Sequence, residues 1–110
     1  MTMNTQKLSS LAKTIRSKNA GVNKITFDII FRDPSVYEAV KRSGALTRAS
    51  VAALYRIDDG RISDFVHYDP GLAIKFTIYR LAPSGSAGDG DIFGAQQYAP
   101  LLDVAVPMPD

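Results

Sequence analysis

The chain has 110 residues, a formal net charge of +2, 45% hydrophobic and 22% charged residues, and no cysteine. That is one domain's worth of core and too apolar for a disordered chain. Without cysteine there is no disulfide, thiolate zinc site or cysteine nucleophile, and a single histidine excludes a multi-histidine metal cage.

The N-terminal stretch before Leu8 leads into no apolar core of the signal-peptide kind, and no run approaches the roughly 20 apolar residues of a membrane span. The expected setting is the cytoplasm. Leu8, Leu11, Ala12 and Ile15 fall at helical spacing, in a piece short enough to be a strand or an irregular segment instead. Arg16-Ser17-Lys18-Asn19-Ala20-Gly21 has turn chemistry. Ile25, Phe27, Ile29 and Phe31 then alternate as a half-buried strand. Asp33 is placed to cap a helix whose first turn takes Pro34. Val36, Tyr37 and Val40 form that helix's apolar stripe, and Gly44 stops it.

Thr47 is the next N-cap, with Val51, Ala52, Leu54 and Tyr55 on one helical face. Asp58-Asp59-Gly60 turns the chain into a strand from Ile62 to Tyr68. Asp69-Pro70-Gly71 turns it again, and Leu72, Ile74, Phe76 and Ile78 alternate against Ala73, Lys75, Thr77 and Tyr79. Two strands across a three-residue turn form a hairpin. Residues 82–110 change character: a glycine-rich stretch gives way to an apolar, proline-punctuated arm, packed on its own domain or on a partner. The expectation is an α+β domain, with an antiparallel sheet of three to four strands, two helices on one face, and an extended C-terminal arm. Residues 8–81 supply its core.

Charge is unevenly placed. Lys7, Lys13, Arg16, Lys18 and Lys24 precede the first acid, Asp28; Asp89, Asp91, Asp103 and Asp110 follow the last base, Arg80. Either the two ends are neighbours or simply solvated, or one binds an anion while the other docks a partner. No recognition helix and no basic stripe interleaved with aromatics argues for nucleic acid.

Arg16, Ser17, Lys18, Asn19 and Gly21 form the candidate ligand site, because cations, small hydroxyl or amide side chains and glycine-opened N–H groups suit a carboxylate or phosphate. The same string also serves as a plain connection. Asp89 and Asp91 are a weak cation pair, and no metal site is expected. Gln96 and Gln97 beside Tyr98 fit an interface or a ligand contact. His67 and Asp69 share a strand face, which orients an imidazole, yet no nucleophile elbow accompanies them. Lys75 is an exposed strand lysine or a charge on a binding face.

Three strings together, Arg16 to Gly21, Thr26-Phe27-Asp28-Ile29-Ile30-Phe31 and Gly94-Ala95-Gln96-Gln97-Tyr98-Ala99-Pro100-Leu101-Leu102, resemble a small bacterial family known as a domain of unknown function. That family is found alone or beside AtuA-type proteins, and the resemblance runs from about Leu8 to Leu102. More distantly, the order of elements is similar to the ferredoxin-like small domain of AtuA-type proteins of acyclic terpene and branched-acid catabolism. That domain has an Arg-Ser-Gly-Asp-Lys-Gly loop; Arg16, Ser17 and Gly21 match it by type, while Lys18 and Asn19 replace Gly and Asp. The resemblance implies an accessory subunit of a hydratase- or lyase-like enzyme acting on a carboxylic acid or its CoA thioester. It implies no cofactor and no catalytic residue in this chain. Phe93, Gln96, Gln97, Tyr98, Leu101 and Leu102 would then clasp the AtuA-like large subunit. The other reading is a self-contained anion-binding or regulatory module that forms a homo-oligomer.

Overall fold

In a computed structural model the described residues are 4–21, 23–79 and 98–109. The chain runs β1 (Asn4–Lys7), α1 (Leu8–Leu11), β2 (Thr14–Asn19), β3 (Lys24–Ile30), α2 (Pro34–Ser43) and α3 (Arg48–Tyr55). It continues through β4 (Ile62–Tyr68), β5 (Ala73–Tyr79), α4 (Ala99–Leu102) and β6 (Ala105–Met108). Single 3-10 turns at Asp59–Arg61 and Asp69–Gly71 lead into β4 and β5. The α+β fold is as the sequence predicts. Its main sheet has four antiparallel strands in the order β2-β3-β5-β4, and β1 pairs with β6 in a separate ribbon. The connectivity is hairpin, helix pair, hairpin, in place of the βαββαβ order of a ferredoxin-like domain.

Local chemistry sets the element ends. The Asp33 carboxylate accepts from the Ser35 N–H, Pro34 opens α2, and Gly44 closes it at φ 76°. Asp33 is held below the usual carboxylate range by the Ser35 hydroxyl and then by that N–H. Thr47 and Ser50 form a reciprocal capping box at the start of α3. Among the described residues two that are not glycine take the left-handed conformation, Arg56 after α3 and Leu72 after the 3-10 turn.

Among the described residues the helices and the apolar core lie on one side of the main sheet. Ile25, Phe27 and Ile29 of β3 and Ile74, Phe76 and Ile78 of β5 form the buried floor. Phe76 stacks on Phe27 at 4.7 Å and on Phe65 at 5.7 Å, and Tyr55 of α3 tilts onto Phe27 at 5.5 Å. Tyr37, Val40, Leu46, Val51 and Ala52 cover this floor from the helices. Leu8, Leu101, Val106 and Met108 complete the cluster. The 8–81 core therefore extends into the arm: α4 and β6 are part of the domain, and Leu101 and Val106 are fully buried. The segment from Leu8 to Ile15 is one helical turn followed by the start of a strand, not a helix throughout.

The Asp69 turn is fastened to α2. Asp69 accepts from the Tyr37 hydroxyl at 2.5 Å and from Lys41 Nζ at 3.1 Å. These two donors hold the Asp69 carboxyl below its ordinary range, and Asp69 in turn raises Lys41. Burial, reinforced by Asp69, pushes the Tyr37 phenol up.

Candidate functional site

The sharpest correction concerns Arg16 to Gly21. These residues are not a loop; through Asn19 they form β2, an edge strand, and only Ala20 and Gly21, at φ 88°, begin the turn to β3. Because neighbours in a strand point to opposite faces, the candidate set is divided. Ser17 lies opposite Phe27 and Asn19 opposite Ile25, on the packed side, and Ser17 is buried. Arg16 lies opposite Asp28 and Lys18 opposite Thr26, on the other side, which no described element covers. Turn-forming residue types within a short alternating stretch hid a strand whose packed face offers only Ile15, Ser17 and Asn19.

On the open face the register aligns side chains in rows across all four strands. Arg16, Asp28, Lys75 and Val66 form one row. Asp28, only 5% exposed, sits between two cations: Arg16 Nε at 3.0 Å and Lys75 Nζ at 3.7 Å. The next row holds Lys18, Thr26, Thr77 and Asp64, with the two threonine hydroxyl oxygens 3.4 Å apart. Beyond it Lys24 stands over the Tyr79 ring at 5.2 Å, while at the other end Lys75 stands over Tyr68 at 5.5 Å. Val66, Tyr68 and Tyr79 are the large apolar side chains left exposed here. The face thus carries four cations, two acids and three exposed apolar groups.

Sequence reasoning missed Lys24, Thr26, Asp28 and Thr77 as members of this surface. The signal was present, since they are the alternate positions to Ile25, Phe27, Ile29, Phe76 and Ile78. Register across strands, which brings Arg16, Asp28 and Lys75 into one line, is not written in any single strand.

The remaining candidates are scattered. His67 lies opposite Ile74 and edges onto Phe65 at 5.8 Å. Asp69 accepts its hydrogen bonds from Tyr37 and Lys41, and among the described residues no imidazole–carboxylate hydrogen bond joins it to His67. Leu101 is buried in its own domain and cannot meet a partner, whereas Tyr98 and Leu102 are half-buried. Phe93, Gln96, Gln97, Asp89 and Asp91 lie outside the described residues. The two charged ends do meet at one point, Lys7 with Asp103 at 3.5 Å, an exposed pair of little energetic weight.

Two shallow grooves mark the helix side. One of about 410 Å³ is lined by Ala45, Leu46, Val51, Leu54 and Val104, and one of about 350 Å³ by Ala39, Arg42, Pro107 and Pro109. Neither contains a residue of the open face. Among the described residues no cluster of three or more acids or histidines is placed to hold a metal, and no helix is long and apolar enough to cross a membrane.

The class is that of a small α+β domain with one packed sheet face and one that no described element covers. The chain belongs to the family described as Domain of unknown function (DUF4387), which it matches over residues 8–105. No curated protein and no solved structure matches it.

Proposed function

We propose that this protein is a cytoplasmic accessory subunit, and that its open sheet face docks on an AtuA-like large subunit of a hydratase- or lyase-type enzyme. The observation that carries this reading is the sheet face that no described element covers. An antiparallel sheet packed on one side normally turns a polar face to water. Here that face also carries Arg16 and the exposed side chains Val66, Tyr68 and Tyr79, and aromatic rings and arginine are enriched at interfaces, beside the three lysines Lys18, Lys24 and Lys75. Its cationic excess calls for a partner surface of acidic and apolar character.

In this reading the face closes one wall of a site for a carboxylic acid or its CoA thioester. Lys18 stands at the boundary, and Arg16 reaches a substrate carboxylate only by loosening its grip on Asp28. The chain supplies charge and position, while the reacting groups belong to the large subunit.

Co-expression with an AtuA-like protein and affinity capture test this. The expected result is a stoichiometric complex, lost in Val66→Asp and Tyr68→Asp variants whose melting temperatures stay near wild type. Capture of no such partner, or a complex indifferent to both substitutions, would overturn it. The second reading, a homo-oligomer, has the β4 edge in its favour, because among the described residues β4 has a neighbour on one side only. A defined dimer mass for the isolated chain, abolished by proline within β4, supports that reading instead.

A further inference from the structure

We infer that the open face carries a phosphoryl-binding subsite at its β2–β3 end, made by Lys18, Lys24, Thr26 and Thr77. This deepens the reading above and rests on it only for where the rest of the ligand lies. The anion contact itself is made by this chain alone.

The cations of the face differ in how they are committed. Arg16 donates to Asp28 and Lys75 is paired with the same carboxylate, so the one guanidinium fork suited to a carboxylate is already engaged. Lys18 and Lys24 have no carboxylate within salt-bridge distance among the described residues. Lys18 lies directly across from Thr26, and Lys24 lies two residues before Thr26 on the same side of β3. The register therefore gathers around one corner of the sheet two ammonium groups that no described carboxylate pairs. Like charges held together repel, and a dianion between them removes that cost.

The floor of this corner is polar and fixed. Thr26 and Thr77 sit opposite each other on adjacent strands, with hydroxyl oxygens 3.4 Å apart. At that separation their mutual hydrogen bond is weak, and one hydroxyl proton at least is free to turn outward to an acceptor. Thr77 is 9% exposed and Thr26 half-buried, so the two residues are recessed in the face. The Tyr79 ring, 5.2 Å from Lys24 Nζ, limits where that ammonium goes. Lysines as point charges over hydroxyl donors suit a tetrahedral dianion better than a planar carboxylate. Two acids border the corner: Asp28, two residues after Thr26 on the same side of β3, is held by Arg16 and Lys75, and Asp64 lies across from Thr77 on the strand farther from the lysines.

A phosphoryl group of this kind reaches the face either on a coenzyme A thioester or as a free phosphate anion. Backbone amide shifts of the full isotopically labelled chain, titrated at constant ionic strength, separate these sources. The probes are inorganic phosphate, acetate, coenzyme A and dephospho-coenzyme A. Phosphate is expected to move the amides of residues 18, 24, 26 and 77 first, with acetate much weaker. Lys18→Gln/Lys24→Gln should lower phosphate affinity by about tenfold or more, given the strength of hydrogen bonds to charged groups. Tighter binding of coenzyme A than of phosphate assigns the thioester carrier, and dephospho-coenzyme A then tells which of its phosphoryl groups is held. Equal affinities assign the free anion. Equal shifts with acetate, shifts centred on other cations such as Arg42 and Arg56, or unchanged affinity in the double variant would overturn the subsite. Because the titration needs no partner, its failure is separate from failure of the docked complex.

Discussion

Removing Arg16 and Lys75 together should be costlier than removing the acid they share. Asp28 is 5% exposed, while the side chains of Arg16 and Lys75 are 58% and 46% exposed. In Arg16→Ala/Lys75→Ala the carboxylate keeps its burial and loses both compensating charges. A fully buried pair broken in this way costs about 3–5 kcal/mol, and the exposure of both cations screens that to about 2–3 kcal/mol here. In Asp28→Asn the situation is reversed. Two half-exposed cations return to water without penalty, the amide keeps the carboxylate's volume, and the loss should be about 1 kcal/mol or less. Adding Asp28→Asn to the double variant should therefore restore stability. Urea unfolding at pH 7 with unchanged m-values reads all four proteins on one scale. The reasoning fails if the double variant unfolds within about 0.5 kcal/mol of wild type, or if Asp28→Asn is the more damaging change.

Thr47→Ala should cost about 1 kcal/mol by opening the α3 capping box, seen as a lowered melting temperature. Tyr37→Phe should cost about 1–2 kcal/mol, because a buried phenol loses its bond to a carboxylate while its ring still packs; urea unfolding measures it. Asp33 and Asp69 have folded pKa values below their unfolded ones, so the stability they add is complete above the unfolded carboxylate range. It disappears as pH falls through the folded values, and the melting-temperature deficit of Asp69→Asn at pH 7 should shrink toward zero in strong acid. Deleting residues 92–110 removes Leu101, Val106 and Met108 from the core and leaves β1 unpaired; the cooperative thermal transition should be lost.

The elements that announced themselves were those in which one strong local rule acted alone. Asp33-Pro34 and Gly44 bracket α2 because a side-chain oxygen, a fixed φ and a missing Cβ each fit one end of a helix. The β3 and β5 alternation was legible because every second residue is large and apolar. β2 was hidden for the opposite reason: its packed positions hold Ser17 and Asn19, and a serine fits where a strand lies at the sheet's edge. The arm divided in the same way. Its apolar content was plain, but whether Leu101 met its own core or another protein depended on β6 finding β1, a pairing between chain ends. The site was legible as a list of cations and illegible as a surface. Asp28 shows why, since its place between Arg16 and Lys75 comes from the registers of two strand pairs.

The β1–β6 ribbon brings Asn4 opposite Met108, nearly the whole chain apart. Such a contact forms slowly and late, because closing so long a loop must wait for everything between. On a ribosome the β2–β5 sheet and its helices are complete well before β6 emerges, so the floor of the core waits with one side unsealed. The same pairing sets the first and last described strands side by side against α2, so a tag of differing bulk at either side of the ribbon is felt first by that helix.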